Sequence, residues 1–278
     1  MHNSCYFSNI AHIFRMPFPK LEGQKLSGAG FLCRVVFSLP PASAFAKPDF
    51  LWKFALKLVV GQGNKKEWEV DSVSQAYITW FGHSCFQVEL AGSSIVLDPY
   101  GVGSVPGLRL PDLNADDVHI SHNHTDHNAA QRVLCSGRPL QFSTREVAGD
   151  HDHHDGAHRG KNKILVIEGE GLRIVHLGDQ GRLLTQEQID AIGRPDLLML
   201  PVGGYFTIDA AEAHQVMEQL QPAVTIPMHY RDCRVGFRML DTLDAFLDTD
   251  LPVKRAEERR FVLQQDMPRQ SLLPVLVQ

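Results

Sequence analysis

The stretch His122-Asn123-His124-Thr125-Asp126-His127 follows directly on the β-prone run Asp117-Val118-His119-Ile120-Ser121, and the reading of the whole chain turns on it. Its six residues include four side chains of metal-ligand type, set between a predicted strand and a predicted helix. In an extended segment alternate side chains share a face, so His122 and His124 can reach one ion together. The turn that follows aims Asp126 and His127 elsewhere, towards a second ion. Neutral imidazoles with a carboxylate suit Zn2+ and also accommodate Mn2+ or Fe2+. The bland alternative is a polar loop with incidental histidines. H-x-H-x-D-H is far more restrictive than that alternative requires.

Outward from this stretch, eight of the fourteen histidines lie between residues 119 and 158, so the candidate chemistry is concentrated. Hydrophobic residues make up 44% of the 278 and charged residues 21%, which suits a globular chain with a substantial core. A formal net charge of -5 without a long basic run argues against a nucleic-acid surface. A small-molecule substrate is expected instead, and an oligomer is compatible. Cys5, Cys33, Cys85, Cys135 and Cys233 are scattered, odd in number and without a C-x-x-C pair. That argues against a disulfide framework and a cysteine-rich zinc knuckle. No window reaches the ~18 consecutive apolar residues of a membrane span. Within residues 25–46, Ala44 and Ala46 resemble an export cleavage site, but Arg34 interrupts the apolar run. A cytoplasmic location is expected, with export the alternative.

Residues 1–70 read as an N-terminal extension, with a short helical stretch in PDFLWKFALKLVVG, and 71–278 as one domain. YITWFG, CFQVEL and SSIVLDP are short β-rich runs split by turns, and DDVHIS is another. HNAAQRVLC reads as a helix. KNKILVIEGEGLRIVHLGD reads as two strands joined by a Glu-Gly turn. TQEQIDAIG is a helix with a threonine cap and a glycine stop. DLLMLPVGG and AVTIPM are strands, DAAEAHQVMEQLQP and RMLDTLDAFLDT helices, and SLLPVLVQ a last strand. Two sets of strands, each followed by helices, predict an α/β (α+β) fold of two sheets face to face with helices outside.

With H-x-H-x-D-H, the segments GHSCFQVEL, IVLDPYG, HDHHDGAHRGKN, HLGDQG, PVGGYFTID and IPMHY resemble the metallo-β-lactamase superfamily in the expected order. The similarity is to its metal-dependent hydrolases, the ascorbate-6-phosphate lactonase-like branch among them, and covers roughly residues 76–265. It implies a four-layer αββα sandwich and a binuclear site. His122, His124 and His151 would hold one ion, Asp126, His127 and His229 the other, and Asp179 would bridge them. Asp126 and Asp179 would act in catalysis, with two divalent ions (Zn2+, or Mn2+ or Fe2+) activating a shared water. His151 is preferred to His153 and His154 on its spacing to Gly156 and Arg159. The segment 143–162 reads as a loop with little apolar strand before this histidine.

Other residues are weighed beside these. His83 either orients a ligand or substrate or is a buried, hydrogen-bonded histidine. Asp98 reads as a carboxylate behind the ligands, His176 as structural, His214 as a surface position on a helix. Tyr205, Thr207 and Tyr230 flank the predicted site as candidate substrate contacts, and Gly203-Gly204 allow a tight loop. Nothing ties Cys233 to the metals. The expected reaction is hydrolysis of an ester, lactone, amide or phosphoester. The alternatives are a nuclease of the same fold, a di-iron oxidoreductase and a non-catalytic metal-binding or sensing protein. The acidic balance opposes the first. The second is disfavoured by His124, where such relatives carry Glu.

Overall fold

The computed structural model describes residues 74–152, 156–248 and 252–273, together with two short strands, β1 (Arg34–Val35) and β2 (Leu58–Val59), which pair antiparallel. The chain divides into two units, Met1–Asp71 and Ser72–Gln278. The export-like segment, apart from Arg34–Val35, and His153 and His154 lie outside the described residues. Of the predicted helix in PDFLWKFALKLVVG only Leu58 and Val59 are described, and they pair as a strand.

The second unit is built on two sheets. The smaller runs in the order β15 (Arg260–Gln264), β3 (Gln75–Gly82), β4 (Cys85–Leu90), β5 (Ser93–Leu97), β7 (Asp117–His119). The larger runs β14 (Val253–Arg255), β16 (Gln270–Leu273), β13 (Val224–Met228), β12 (Leu197–Pro201), β11 (Leu172–His176), β10 (Lys161–Gly169), β9 (Ser143–Asp150). Alternation along the strands decides which face each side chain takes. Phe86, Val88 and Leu97 of the small sheet meet Leu165, Ile167, Ile174, Leu197, Met199 and Ile226 of the large one in a common core. The neighbours Ile164, Val166, Val175, Leu198 and Leu200 face the other way, onto the helices. Full burial of each such aliphatic side chain contributes ~1.5–3 kcal/mol, so these two layers hold the sandwich together.

Helix α1 (Gln186–Ile192) starts in a capping box on Thr185 and stops at Gly193 (φ 68°). Helix α2 (Ala210–Leu220) starts in a capping box on Asp209 and ends at Gln221, just before Pro222. Both follow their predicted caps. The predicted helix at 238–249 is shorter, α3 (Asp244–Leu247), and Phe246 anchors it. HNAAQRVLC is corrected: only Ala130–Arg132 form a 3-10 turn, and Val133–Cys135 form strand β8, paired with β6 (Leu113–Ala115). Among the described residues this pair and the 100–113 loop, rather than helix, cover the outer face of the small sheet. They bury Tyr100, Val105, Leu110 and Leu113 against Phe81, Cys85 and Val96. Residues 143–150 are likewise strand, not loop. STREVAGD lacks an apolar run because it is the sheet edge, with one face largely exposed.

Strand direction then positions everything that matters. β9 is antiparallel to β10, β10 to β11, and β11, β12 and β13 are parallel. β9, β11 and β13 therefore run the same way and end on one edge of the large sheet. In the small sheet β3 is antiparallel to β4, β4 to β5, and β5 is parallel to β7. So β3, β5 and β7 also share a direction. The residues following these six strands are where ligand-type side chains collect.

Candidate metal centre

His83 follows β3, Asp98 follows β5, His122–His127 follow β7, His151 follows β9, Asp179 follows β11 and His229 follows β13. Three of them are non-glycine residues with positive φ: His83 (52°), Asp98 (43°) and His229 (54°). Such a conformation costs ~1–3 kcal/mol and persists only where its surroundings impose it. Here it breaks the strand's alternation in a single residue and redirects the side chain at the edge. The neighbouring backbone is packed to match. A Cβ on Gly203 would fall on the His229 carbonyl oxygen and lie 3.2 Å from the Tyr230 Cα. Gly203→Ala is expected to cost ~1–3 kcal/mol through overpacking, read as a fall in Tm of about 2–4 °C per kcal/mol. An unchanged melting curve would mean that the loop yields freely.

Asp179 lies at the centre. Its Oδ2 is 3.1 Å from His229 Nε2, 3.2 Å from His127 Nε2 and from His151 Nε2, and 3.8 Å from His122 Nε2. Its backbone N–H donates to Asn162 Oδ1 at 3.1 Å, and Asn162 Nδ2 donates to the Leu177 carbonyl at 2.7 Å. Asn162 thus holds the turn that presents Asp179, a role not read from the sequence. Two neighbouring donor sets stand out among the described residues. His122, His124 and His151 have donor atoms within 4.8 Å of one another, and so do His83, Asp126, His127 and His229.

Behind the donors the nitrogens are already committed. Asp98 Oδ2 sits 2.9 Å from His127 Nδ1 and accepts from Ser121 Oγ at 2.5 Å, while its Oδ1 accepts from the Ser121 backbone N–H at 2.7 Å. Ser121 Oγ also lies 3.0 Å from His122 Nδ1. Both histidines therefore turn Nε2 inward. His83 Nε2 is 3.1 Å from Asp126 Oδ2, the hydrogen-bonded arrangement weighed for it. His122 Nε2, His127 Nε2, both His151 nitrogens and Asp179 Oδ1 are buried without a hydrogen-bond partner. Buried polar atoms in such number are costly unless something binds them. Imidazole and carboxylate donors are the set a divalent cation takes, so the residues fit a metal site.

The electrostatics agree. Burial, with repulsion from His229, lowers His83 to about 4, and burial lowers His122 to about 3. Burial and His151 lower His124. These imidazoles are neutral at pH 7, with lone pairs free to ligate. Burial opposes the charged form of His127, but Asp179, Asp126 and Asp98 prevail and hold it well above the ordinary histidine value. Burial also opposes the Asp179 carboxylate, yet His127 and His229 keep it well below the usual range. Proton and metal compete for the same pocket.

A cleft of ≈ 340 Å³ opens over these groups, lined by Asn123, His124, Thr125, Asp126, His151, Arg159, Asp179, Phe206, His229 and Phe237. Arg159 entered the sequence reading only through its spacing to His151, and Phe206 and Phe237, which no spacing signal marks, were not read as site residues. Tyr205 is exposed, edge-on to Phe206 at 4.7 Å and outside the lining. Thr207 is buried, its hydroxyl donating to the Ile208 carbonyl. Tyr230 stacks on Trp80 at 6.0 Å and packs against both cores. Of the candidate substrate contacts His83, Tyr205, Thr207 and Tyr230, none is among the residues lining the cleft. His176 is structural, its Nε2 2.9 Å from the Ser84 carbonyl, and His214 is half-buried against Phe246, its Nε2 3.1 Å from the Phe246 carbonyl. Cys233 is exposed and free.

The sequence model of the β-lactamase superfamily domain matches residues 77–229, more than half of the chain and every ligand-type residue above. The chain belongs to the metallo-β-lactamase superfamily. A crystal structure from Thermotoga maritima, described as a candidate Zn-dependent hydrolase of this superfamily, is 34% identical. It covers 72% of this chain and 99% of its own, with a TM-score of 0.57. A UPF0173 metal-dependent hydrolase from Thermoplasma volcanium is 29% identical over 187 residues, 55% of this chain and 82% of that one. The isothiocyanate hydrolase from Delia radicum gut bacteria, 15% identical with a TM-score of 0.52, covers 73% of this chain and 97% of its own and shares the fold. This superfamily member is thus a metal-dependent hydrolase of the metallo-β-lactamase fold, with a divalent metal as its cofactor. No helix among the described residues is long and apolar enough to cross a membrane.

Proposed function

We propose that the chain is a binuclear zinc hydrolase acting on an ester, lactone, amide or phosphoester of a small molecule. The observation that carries this reading is Asp179 Oδ2, placed 3.1–3.8 Å from nitrogens of His229, His127, His151 and His122. In it His122, His124 and His151 would hold one ion and Asp126, His127 and His229 the other, with Asp179 between the two sets. Bound divalent ions supply hydroxide near neutral pH and stabilise a developing oxyanion. The residues of the chain do the positioning. Asp98 fixes the tautomer and direction of His127, Ser121 does so for His122, and His83 holds the carboxylate of Asp126. Asp126 orients the nucleophile, and no serine or cysteine nucleophile is needed.

A small-molecule substrate is supported by the modest cleft. A cytoplasmic location goes with this reading, and export is the alternative. Elemental analysis of the purified protein should return close to two equivalents of zinc, or of manganese or iron in its place. Chelation should abolish turnover on a panel of lactones, esters and phosphodiesters, and zinc or manganese should restore it. Full activity in a metal-free preparation overturns the reading. Tight metal binding with no turnover on any of the panel would favour the non-catalytic alternative.

A further inference from the structure

Arg159 lies beyond the residues assigned to the metals, on the loop that follows His151. Asp152 clamps that loop: its carboxylate accepts from the backbone N–H groups of Gly156 (3.1 Å), His158 (3.0 Å) and Arg159 (2.7 Å). The turn requires glycine at 156, with φ 76° and no room for a Cβ beside the Gly160 carbonyl. The same segment that delivers His151 therefore also sets the position of Arg159.

The Arg159 guanidinium stands 4.3 Å from the centroid of Phe206, at cation–π distance, and forms no hydrogen bond or ion pair with any described residue. It is half-buried and lines the same cleft as His124, Asp126 and Asp179. Several other arginines of this unit are ion-paired, among them Arg138 with Asp116, Arg173 with Glu168, Arg182 with Asp150 and Arg260 with Glu89. A guanidinium stacked on an aromatic face loses little rotamer freedom on binding. It keeps its N–H edge available for a planar, bidentate oxyanion partner. Phe206 and Phe237, 6.0 Å apart and edge to face, make the apolar wall beneath it.

We infer that Arg159 is a specificity-determining residue that receives an oxyanion, carboxylate or phosphate, carried by the substrate at a distance from the bond that is cleaved. The inference deepens the hydrolase reading and rests on it for the word substrate. The bound molecule spans the cleft with its charged end in the Arg159 fork, its carbon chain on Phe206 and Phe237, and its reacting group over Asp179. A charge-assisted bidentate contact of this kind fixes orientation as well as affinity.

Two measurements on the metal-loaded protein test it. The first compares mono-(4-nitrophenyl) glutarate with 4-nitrophenyl pentanoate, which differ by the terminal carboxylate. Arg159→Met should raise KM for the glutarate at least tenfold and leave kcat/KM for the pentanoate within about twofold, with Arg159→Lys intermediate. The second is calorimetric titration with glutarate and with glycerol 3-phosphate, which tells the carboxylate from the phosphate. At least one should bind at least tenfold more weakly to Arg159→Met than to the wild type. Equal binding of both anions to the two proteins, anion binding too weak to measure in the wild type, or equal kinetic losses on both esters would overturn the inference. Arginine-dependent anion binding without turnover of either ester supports Arg159 and counts against the hydrolase reading alone.

Discussion

Asp179→Asn is expected to lose at least one equivalent of metal and to lower kcat/KM by more than the ~10–100-fold typical of residues that merely support a ligand. Asn is isosteric with Asp and keeps the backbone bond to Asn162, so the turn after β11 should stay in place. What disappears is the negative charge enclosed by His122, His127, His151 and His229. An amide also has one acceptor oxygen in place of two, and its NH2 can neither ligate a cation nor accept from the protonated His127. Metal content, turnover and circular dichroism measured on one preparation separate ligand loss from unfolding. Retained metal with wild-type turnover would remove Asp179 from the centre of the site.

The second large effect is expected from Asp98→Asn, at a residue that does not line the cleft. Asp98 is completely buried, and both its oxygens accept: Oδ1 from the Ser121 N–H, Oδ2 from the Ser121 hydroxyl and the His127 ring. An amide has one acceptor oxygen, so its NH2 must face one of these donors. The mismatch leaves a buried group unsatisfied, at ~1–3 kcal/mol. It also frees the imidazole of His127 to adopt the wrong tautomer, which should lower metal affinity by ~10–100-fold. A zinc titration against a competing chelator and a melting curve read the two consequences separately. Metal affinity and Tm both equal to the wild type would show that His127 is oriented by something else.

Much of this site was legible before any coordinates. The six-residue stretch 122–127, and the placing of Asp179 and His229 directly after apolar runs, pointed to ligands at strand ends. The strand β13 is a continuous buried run and β11 is buried but for Arg173, which a sequence displays openly. The caps of α1 and α2 were equally plain, because Thr185 and Asp209 act on residues three positions away. β9 was not. As an edge strand it has one face packed and one largely exposed, so its composition imitates a loop. HNAAQRVLC failed for the opposite reason. Its helix-favouring residues are overridden by the pairing of Val133–Cys135 with Leu113–Ala115, a contact twenty residues away in the chain.

By itself the sequence determined the superfamily, the two-sheet core and the ligand-type residues, since these depend on residue identity, short spacings and local periodicity. Only the tertiary structure decided which nitrogen each histidine turns inward, that Asp98 and Ser121 stand behind His127 and His122, and that Tyr205, Thr207 and Tyr230 stay off the cleft while Arg159 and Phe206 line it. Those outcomes follow from strand direction, from left-handed residues at His83, Asp98 and His229, and from contacts between segments far apart in the chain. No pattern within a single stretch of sequence encodes them.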